Sequence, residues 1–298
     1  MVPSWRVKAT LQRAFSAVPG GHRLNYLLQR HVTHGVPVSD DALRAAVEIA
    51  RDHLQRLGPH SARPAADGHF FEFGAGWDLR IPQILWCLGV EQQTVVDIRP
   101  LVRPALVHDI ARRLAATATG LGLPRVPSVE DPFDLERHLA ALGIEYRAPC
   151  DARATGLPAG SVDRITSTNT LEHIPPAEIT AIYRECRRIL APDGLVSFQI
   201  DYRDHYAGFD PSVSIYNFLR FEDATWRRYS PALHFQSRLR HREHVALVEE
   251  AGFEVLDEVT IVGDADALRA LEALPLAARF RPLSKEELAV CESRLVLR

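Results

Sequence analysis

The segment HFFEFGAG, residues 69–76, decides the fold. Its largely apolar run from His69 to Phe73 is typical of a buried strand and continues directly into Gly74-Ala75-Gly76. Glycines at such a point let the backbone approach a ligand closely. The amphipathic segment from Ile81 to Leu88 predicts a helix whose first N–H groups face the same place. The segment therefore predicts a strand, a ligand-binding loop and a helix in succession.

Strand and helix patterns alternate on both sides of this unit. Residues 1–60 have the pattern of helices, with Asp40 and Asp41 placed to cap the run 42–49. Further strands are predicted at 94–98, 144–147, 162–167, 194–200, 253–262 and 293–297, and further helices within 101–145 and at 177–190. This alternation is typical of an α/β protein. We predict a Rossmann-like, mostly parallel seven-stranded sheet flanked by helices.

The same patterns predict the domain organisation. We expect an N-terminal helical cap at residues 1–66 and a Rossmann-like domain at residues 67–298. Residues 201–245 interrupt the alternation with a long stretch rich in aromatic residues and histidine. Because substrate pockets of α/β proteins are built beyond the carboxyl ends of strands, we expect a substrate-side lid or insert at about 201–245.

Composition limits the classes of binding partner and the cellular compartment that we expect for the protein. The chain has 298 residues, a formal net charge of -3 and four cysteines. The slightly acidic balance argues against nucleic acid and against an anionic membrane surface as partners. The cysteines have no metal-binding spacing and are expected to be reduced and mostly buried. Without a secretory signal or a run of ~20 apolar residues, we expect a cytoplasmic protein. Abundant Arg and Ala suggest a bacterial origin, and the oligomeric state stays open, a homodimer included.

Three further motifs follow the glycine loop in order. Asp97-Ile98 ends the next predicted strand, 21 residues after Gly76, where a carboxylate can accept two hydrogen bonds from a ribose diol. Asp151-Ala152 follows another strand, where a carboxylate can accept a proton of an adenine amino group. Asn169 then precedes Leu171-Glu172-His173 after the strand 162–167. Each motif alone is weak, but their order and strand contexts reinforce one another.

This combination resembles the class I S-adenosylmethionine-dependent methyltransferases, especially their broad small-molecule group. The resemblance covers roughly residues 70–200. It implies S-adenosylmethionine as the cofactor and methyl transfer as the reaction. It also implies roles for nine residues: the methionine part would lie against Glu72, Gly74, Ala75 and Gly76, the ribose against Asp97 and Ile98, the adenine against Asp151 and Ala152, and Asn169 beneath the cofactor.

One position departs from the family pattern. A third glycine usually follows two residues after the second, but Asp78 stands there, so the local cofactor contacts are open. A nicotinamide-dependent dehydrogenase would need glycine at Leu79. It would also place a pyrophosphate beside Glu72, which is electrostatically unfavourable, whereas the cationic methionine part of S-adenosylmethionine is favoured there. We therefore prefer the methyltransferase.

The acceptor side is less determined by sequence. We expect a small-molecule acceptor methylated on oxygen or nitrogen, such as a secondary metabolite or a sugar-like compound. The alternatives are a macromolecular acceptor, RNA or protein, and cofactor binding without methyl transfer. His173 and His205 are the candidate general bases, since acid–base help is needed when the acceptor is a hydroxyl or a protonated amine. Aromatic and amide side chains of the insert are candidate substrate contacts: Tyr202, Tyr206, Tyr216 and Asn217.

Two other sequence patterns of the insert are interpreted as structural features and not as binding sites. His241 and His244 have a spacing that can bind a metal, but no third ligand is recognisable, so we predict no metal and a solvated helix face. Residues 220–242 interleave arginines with aromatic residues, which favours a surface helix or a pocket wall over an RNA-binding surface.

Overall fold

A computed structural model describes residues 4–32 and 35–298 and shows a seven-stranded sheet in the order β3-β2-β1-β4-β5-β7-β6. The strands are β1 (His69–Phe73), β2 (Gln92–Val96), β3 (Ile144–Arg147), β4 (Val162–Thr168), β5 (Leu190–Asp201), β6 (Val255–Val262) and β7 (Val290–Leu297). The first five are parallel, and β7 is antiparallel to both β5 and β6. The predicted Rossmann-like, mostly parallel seven-stranded sheet is confirmed.

Helices cover the sheet and extend beyond its carboxyl edge. They are α1 (Trp5–Ser16), α2 (Gly21–His31), α3 (Asp40–Leu57), α4 (Arg80–Cys87), α5 (Pro104–Thr117), α6 (Leu135–Ala141), α7 (Pro176–Ile189), α8 (Asp223–Tyr229), α9 (His241–Glu250), α10 (Ala265–Glu272) and α11 (Lys285–Ala289). None of the helices in the described part of the chain is long and apolar enough to span a membrane.

Helix α3 belongs to the layers of the sheet. The hydroxyl of Ser39 accepts the N–H of Ala42 at 3.2 Å and caps the helix just before its two aspartates. Its apolar face, which includes Leu43 and Val47, shares one hydrophobic core with residues of β1, α4 and β7. Burying that face stabilises the helix far more than local propensity does. Within the predicted cap of residues 1–66, α3 is therefore one flank of the sheet.

Helix α1 instead packs on the insert that follows β5. The Trp5 ring lies 4.7 Å from that of Tyr229 and 5.3 Å from that of Tyr206, between ring centroids. The Trp5 N–H donates to Asp210 Oδ2 at 3.0 Å, and the N–H of Leu233 donates to the Ser16 hydroxyl at 3.2 Å. Helix α1 and the insert, which are far apart in sequence, thus form one layer over the loops that follow β1, β2 and β4.

Two arginines of the predicted arginine–aromatic run anchor this layer. Arg238 donates to the carbonyls of Phe218 at 2.8 Å and Phe221 at 2.6 Å. Arg240 is buried and donates to the carbonyls of Tyr202 and Leu288, both at 2.9 Å. The two guanidinium groups satisfy carbonyls of the insert and of the C-terminal end of α11. These two arginines hold the insert in place and are not available to a ligand.

Candidate active site

The loops at the carboxyl ends of the parallel strands enclose a cavity of about 530 Å³. Such a volume accommodates a nucleoside-sized ligand. Its walls come from the ends of β1 and β2, the loop after β3 and the segment after β4: Phe73, Gly74, Val96, Asp97, Ile98, Arg99, Cys150, Asp151, Ala152, Thr170, His173, Ile174, Pro175, Glu178, Ile182, Ala232 and Phe235. The structure thus gathers Gly74, Asp97, Ile98, Asp151 and Ala152 around one space.

The glycine loop has the geometry that its sequence predicts. Gly74 and Gly76 have φ of +88° and +68°, which favour glycine. A Cβ at Gly74 would overlap the side chain of Thr170, whereas one at Gly76 would meet nothing within 4 Å. The next left-handed residue is Leu79, with φ of +51°. Because the turn into α4 is made there, the position of Asp78 needs no glycine.

Asp97 is fixed toward the glycine loop by two backbone donors. Its Oδ2 accepts the N–H of Gly76 at 3.3 Å and its Oδ1 accepts the N–H of Arg99 at 3.0 Å. Burial raises the pKa of the Asp97 carboxyl, although these two donors oppose the shift. Ile98 is 56% exposed beside it and offers an apolar wall.

Asp151 lies on the wall of the same cavity. It forms an ion pair of 2.6 Å with Arg153, which also lies 3.5 Å from Glu178. The hydrogen bonds from Arg153 hold the pKa of Asp151 below its usual range. The carboxylate is therefore ionised and already engaged on one side, with Ala152 beside it in the cavity wall.

Glu72, Ala75, Gly76 and Asn169 line an adjoining cavity of about 390 Å³, which shares Gly74 and Thr170 with the first. Burial raises the pKa of Glu72 to about 8, opposed by a 3.5 Å hydrogen bond from Thr166. The Oδ1 atom of Asn169 is buried without a hydrogen-bond partner. A buried carboxyl and an unpaired amide oxygen fit a ligand that carries an ammonium group.

A third cavity of about 490 Å³ adjoins the first and shares Arg99, His173, Ala232 and Phe235 with it. Its other walls come from α1, α2, the glycine loop and the insert: Lys8, Gln12, His22, Asn25, Gln29, Trp77, Leu101, His205, Leu233 and His234. It is strongly polar. Four of its polar atoms, Gln12 Oε1, Asn25 Oδ1, His205 Nε2 and His234 Nε2, are buried and have no hydrogen-bond partner.

His173 and His205 meet on the wall of this cavity, with ring centroids 4.9 Å apart. The Nδ1–H of His173 donates to the carbonyl of Phe235 at 2.8 Å, so Nε2 carries the free lone pair. Its ring is open to the cavity, but protein surrounds it on the other sides. This desolvation, together with His205, lowers the pKa of His173 to about 4. His173 is therefore neutral near pH 7.

His205 is oriented by a carboxylate. Its Nε2 lies 3.4 Å from Asp201 Oδ2, and Arg203 donates to Asp201 at 2.9 Å. Burial favours the neutral form of Asp201, but His205 and Arg203 outweigh it and hold its pKa well below the usual range. Asp201 therefore lies beside His205.

The four predicted substrate contacts of the insert do not reach any of these cavities. All four are buried packing residues. The hydroxyl of Tyr202 pairs with that of Ser293 at 2.7 Å, Tyr206 donates to the carbonyl of Tyr229 at 2.6 Å, Tyr216 donates to the carbonyl of Ala289 at 2.5 Å, and Asn217 donates to Asp204 at 2.9 Å. The expectation was wrong because aromatic rings of a long insert are needed first to give it a core.

The helix-face interpretation of His241 and His244 is also corrected. Both are buried: His241 Nε2 lies 2.7 Å from Glu258 Oε1, and His244 Nδ1 lies 3.4 Å from the hydroxyl of Tyr183. The four cysteines are free thiols, and three of them are buried, as predicted.

Sequence reasoning missed the contribution of α1 and α2 to the third cavity. Lys8 and Gln12, like His22 and Asn25, are spaced by one helical turn, so each pair lies on one helix face. That spacing was a visible signal. It did not say which other part of the chain those faces meet.

Comparisons with known proteins point to one class. Residues 134–198 match the family model described as a methyltransferase domain. No curated protein matches the chain.

Solved structures that resemble the chain include a S-adenosylmethionine-dependent methyltransferase from Leishmania major (14% identity, 99% of this chain and 83% of that one, TM-score 0.47). Another is geranyl diphosphate C-methyltransferase from Streptomyces coelicolor, solved with Mg²⁺, geranyl diphosphate and S-adenosylhomocysteine (11%, 99% and 97%, TM-score 0.47). A third is the [4+2]-cyclase SpnF (14%, 86% and 80%, TM-score 0.48).

The match of residues 134–198 to a methyltransferase domain, the mostly parallel seven-stranded sheet and the carboxylate after β2 that faces a glycine loop all agree with the predicted class. They support an S-adenosylmethionine-dependent methyltransferase with S-adenosylmethionine as its cofactor.

Proposed function

We propose that the enzyme transfers the methyl group to an oxygen or nitrogen of a polar small molecule held in the third cavity. The observation that carries this proposal is the wall common to the first and third cavities, formed by Arg99, His173, Ala232 and Phe235. The two cavities adjoin there, so a ligand in the third cavity would lie close to a ligand in the first. A volume of about 490 Å³ suits a small molecule and is too small for a folded macromolecule.

Cofactor binding is assigned to the residues around the first two cavities. Asp97 would accept hydrogen bonds from the ribose hydroxyls, and Asp151 with Ala152 would border the adenine. Glu72 and Asn169 would face the amino-acid part. The chemistry that the cofactor supplies is an electrophilic methyl group on a positively charged sulfur.

The unpaired polar atoms of the third cavity favour a polar acceptor. A buried amide oxygen without a partner is costly, and a ligand that donates to Asn25 and Gln12 removes that cost. Such a site discriminates strongly against analogues that lack the donor. Helices α1 and α2 supply part of its wall.

His173 is placed to act on the acceptor atom itself. Its Nε2 is unprotonated and open to the cavity, so it can accept a proton from a hydroxyl or an ammonium group within reach. His205, oriented by Asp201, would act beside it. Alignment of acceptor and methyl group would supply the larger part of the rate.

The test combines a binding and a turnover measurement. Calorimetric titration with S-adenosylhomocysteine, with NADH as control, is expected to give micromolar affinity for the first ligand alone. Turnover is then followed with labelled S-adenosylmethionine over a panel of polar hydroxyl and amine compounds.

For an acceptor found in this way, Asn25→Leu is expected to raise KM at least about tenfold without changing S-adenosylhomocysteine affinity. An unchanged KM would remove the third cavity from the acceptor site. Labelling of RNA or protein, with no small molecule methylated, would overturn the proposed acceptor class.

A further inference from the structure

Both carboxylate oxygens of Glu172 are buried and have no hydrogen-bond partner, and the side chain is only 2% exposed. Buried carboxylates are normally paired with a donor or a cation, because water no longer solvates them. No ion pair of Glu172 exists within residues 4–32 and 35–298. Asp201, a second carboxylate close by, makes its environment still more negative. Arg203 is the positive charge that acts on Glu172, but it is already paired with Asp201 at 2.9 Å.

Two histidines stand beside this carboxylate. One oxygen of Glu172 and one ring nitrogen each of His173 and His205 all lie within 4.8 Å of one another. A metal ion with ligand bonds of about 2.1 Å needs its ligands roughly 3–3.5 Å apart. Side-chain movements of about 1 Å would therefore bring the three ligand atoms to bonding distance from one ion.

One of the two histidines has a ring nitrogen that is already hydrogen bonded. His173 Nδ1 donates to the carbonyl of Phe235 at 2.8 Å, whereas His205 Nε2 lies 3.4 Å from Asp201 Oδ2 and has no hydrogen-bond partner. Metal-binding histidines are typically held, as His173 is, by a carbonyl or a carboxylate on the far side of the ring. The arrangement leaves His173 Nε2 and a ring nitrogen of His205 for a ligand.

Local structure explains how the chain brings these groups together. Leu171–His173 form a single 3₁₀ turn after β4, in which Leu171 enters the core. The next residue, Glu172, is held against the insert, where its carbonyl accepts the N–H of Ser237 at 2.8 Å. His205 comes from the start of the insert and completes the set. These contacts form only when the insert folds over the sheet.

We propose that Glu172, His173 and His205 form a binding site for a divalent transition-metal ion on the wall of the acceptor cavity. One carboxylate and two imidazoles suit Mn²⁺, Fe²⁺ or Zn²⁺ better than Mg²⁺ or Ca²⁺, which prefer oxygen ligands. Three protein ligands leave coordination positions open toward the cavity.

This inference rests on the proposed function for its role. Held by these residues, an ion would lower the pKa of an acceptor hydroxyl at this wall, and the hydroxyl proton would leave to solvent. The acceptor oxygen then forms a bond to the methyl carbon, the carbon–sulfur bond breaks, and its electron pair stays on sulfur. His173 and His205 would hold the ion in this case, in place of taking the proton themselves.

The experiment uses the full chain, stripped with a chelator and dialysed. MnCl₂ and ZnCl₂ are added separately, and bound metal is measured by mass spectrometry after gel filtration and, for Mn²⁺, by electron paramagnetic resonance. One equivalent is expected to bind. Glu172→Gln, which keeps the shape and removes the charge, and His205→Asn are each expected to weaken binding at least about tenfold.

His22→Asn is the matched control, since His22 lines the same cavity outside the proposed site. It is expected to bind one equivalent. The proposal would be overturned if the unaltered protein bound neither metal, or if Glu172→Gln and His205→Asn both bound metal as tightly as the unaltered protein. If one of these two variants does not fold, the metal affinity of the other tests the proposal.

Titration of the same samples with S-adenosylhomocysteine separates this inference from the proposed function. Glu172 does not line the cofactor cavity, so Glu172→Gln is expected to keep that affinity within about threefold. A protein that binds S-adenosylhomocysteine but no metal contradicts the metal site and leaves the proposed function standing, with His173 as the proposed base. A protein that binds neither ligand contradicts the proposed function as well.

Discussion

The proposed cofactor side and the proposed acceptor side are built in different ways. Three of the proposed cofactor residues follow parallel strands of the sheet, at positions that local sequence predicts: Gly74 after β1, Asp97 after β2 and Asp151 after β3. The acceptor cavity joins side chains of α1 and α2 to residues 232–235, about two hundred positions away. The comparison teaches that local sequence motifs are sufficient to predict the residues of the cofactor side but not those of the acceptor side. Substitutions on the two sides should therefore have different effects.

The largest effect is expected for Gly74→Ala. The variant forces a side chain into a left-handed conformation and against Thr170, at the point where the two cofactor-side cavities meet. We expect S-adenosylhomocysteine affinity to fall by more than about 100-fold, measured by calorimetry.

Gly76→Ala is the matched control, because it has the same backbone strain, about 1–2 kcal/mol, and open space around the added carbon. Equal losses in the two variants would mean that the close approach to Thr170 is irrelevant.

Asp97→Ala is expected to weaken S-adenosylhomocysteine binding by about 10- to 100-fold, from the loss of hydrogen bonds to a charged group worth ~1.5–3 kcal/mol. Asp151→Ala should cost less, because Arg153 already engages that carboxylate. Calorimetric titration of both variants checks the order, and an unchanged affinity of Asp97→Ala would remove it from the ribose site.

Glu72 predicts a pH dependence. With a pKa of about 8, it is mostly neutral at pH 7 in the free protein, and a cationic ligand favours its ionised form. The affinity for S-adenosylmethionine should therefore rise up to about tenfold between pH 7 and pH 9. Glu72→Gln should lack the rise in affinity that comes from Glu72. Any pH dependence that remains in this variant comes from other groups, including the ligand itself, and can be subtracted.

Stability supplies a second measurement on the same variant. The unfolded Glu72 carboxyl loses its proton near pH 4.5, whereas the folded protein retains it to about pH 8. The folded state binds more protons in this window, so the free energy of unfolding falls as pH rises from 4.5 to 8. Glu72→Gln should flatten that slope, and urea unfolding at several pH values measures it. An identical slope in both proteins would contradict the burial of an ionisable Glu72.

The smallest effect on binding is expected for Tyr216→Phe. The change removes a hydroxyl that donates to the carbonyl of Ala289 and accepts the N–H of Gly263, both buried. Urea unfolding should show a loss of about 1–2 kcal/mol, while S-adenosylhomocysteine affinity and acceptor KM stay within twofold. An altered acceptor KM with unchanged stability would indicate that Tyr216 contacts the acceptor after all.

The sequence by itself determined the sheet, the order of its strands and helices, and the positions that follow β1, β2 and β3. Periodicity and turn residues are local, and parallel strands bring their carboxyl ends to one edge, so residues far apart in sequence, such as Gly74 and Asp151, had to be neighbours. Only the tertiary structure decided the acceptor side. Whether Tyr206 would pack or bind, and whether Glu172 would meet His205, depended on how the insert folds over the sheet and against α1. That packing is set by nonlocal burial of apolar surface, which leaves no periodic signal in the chain.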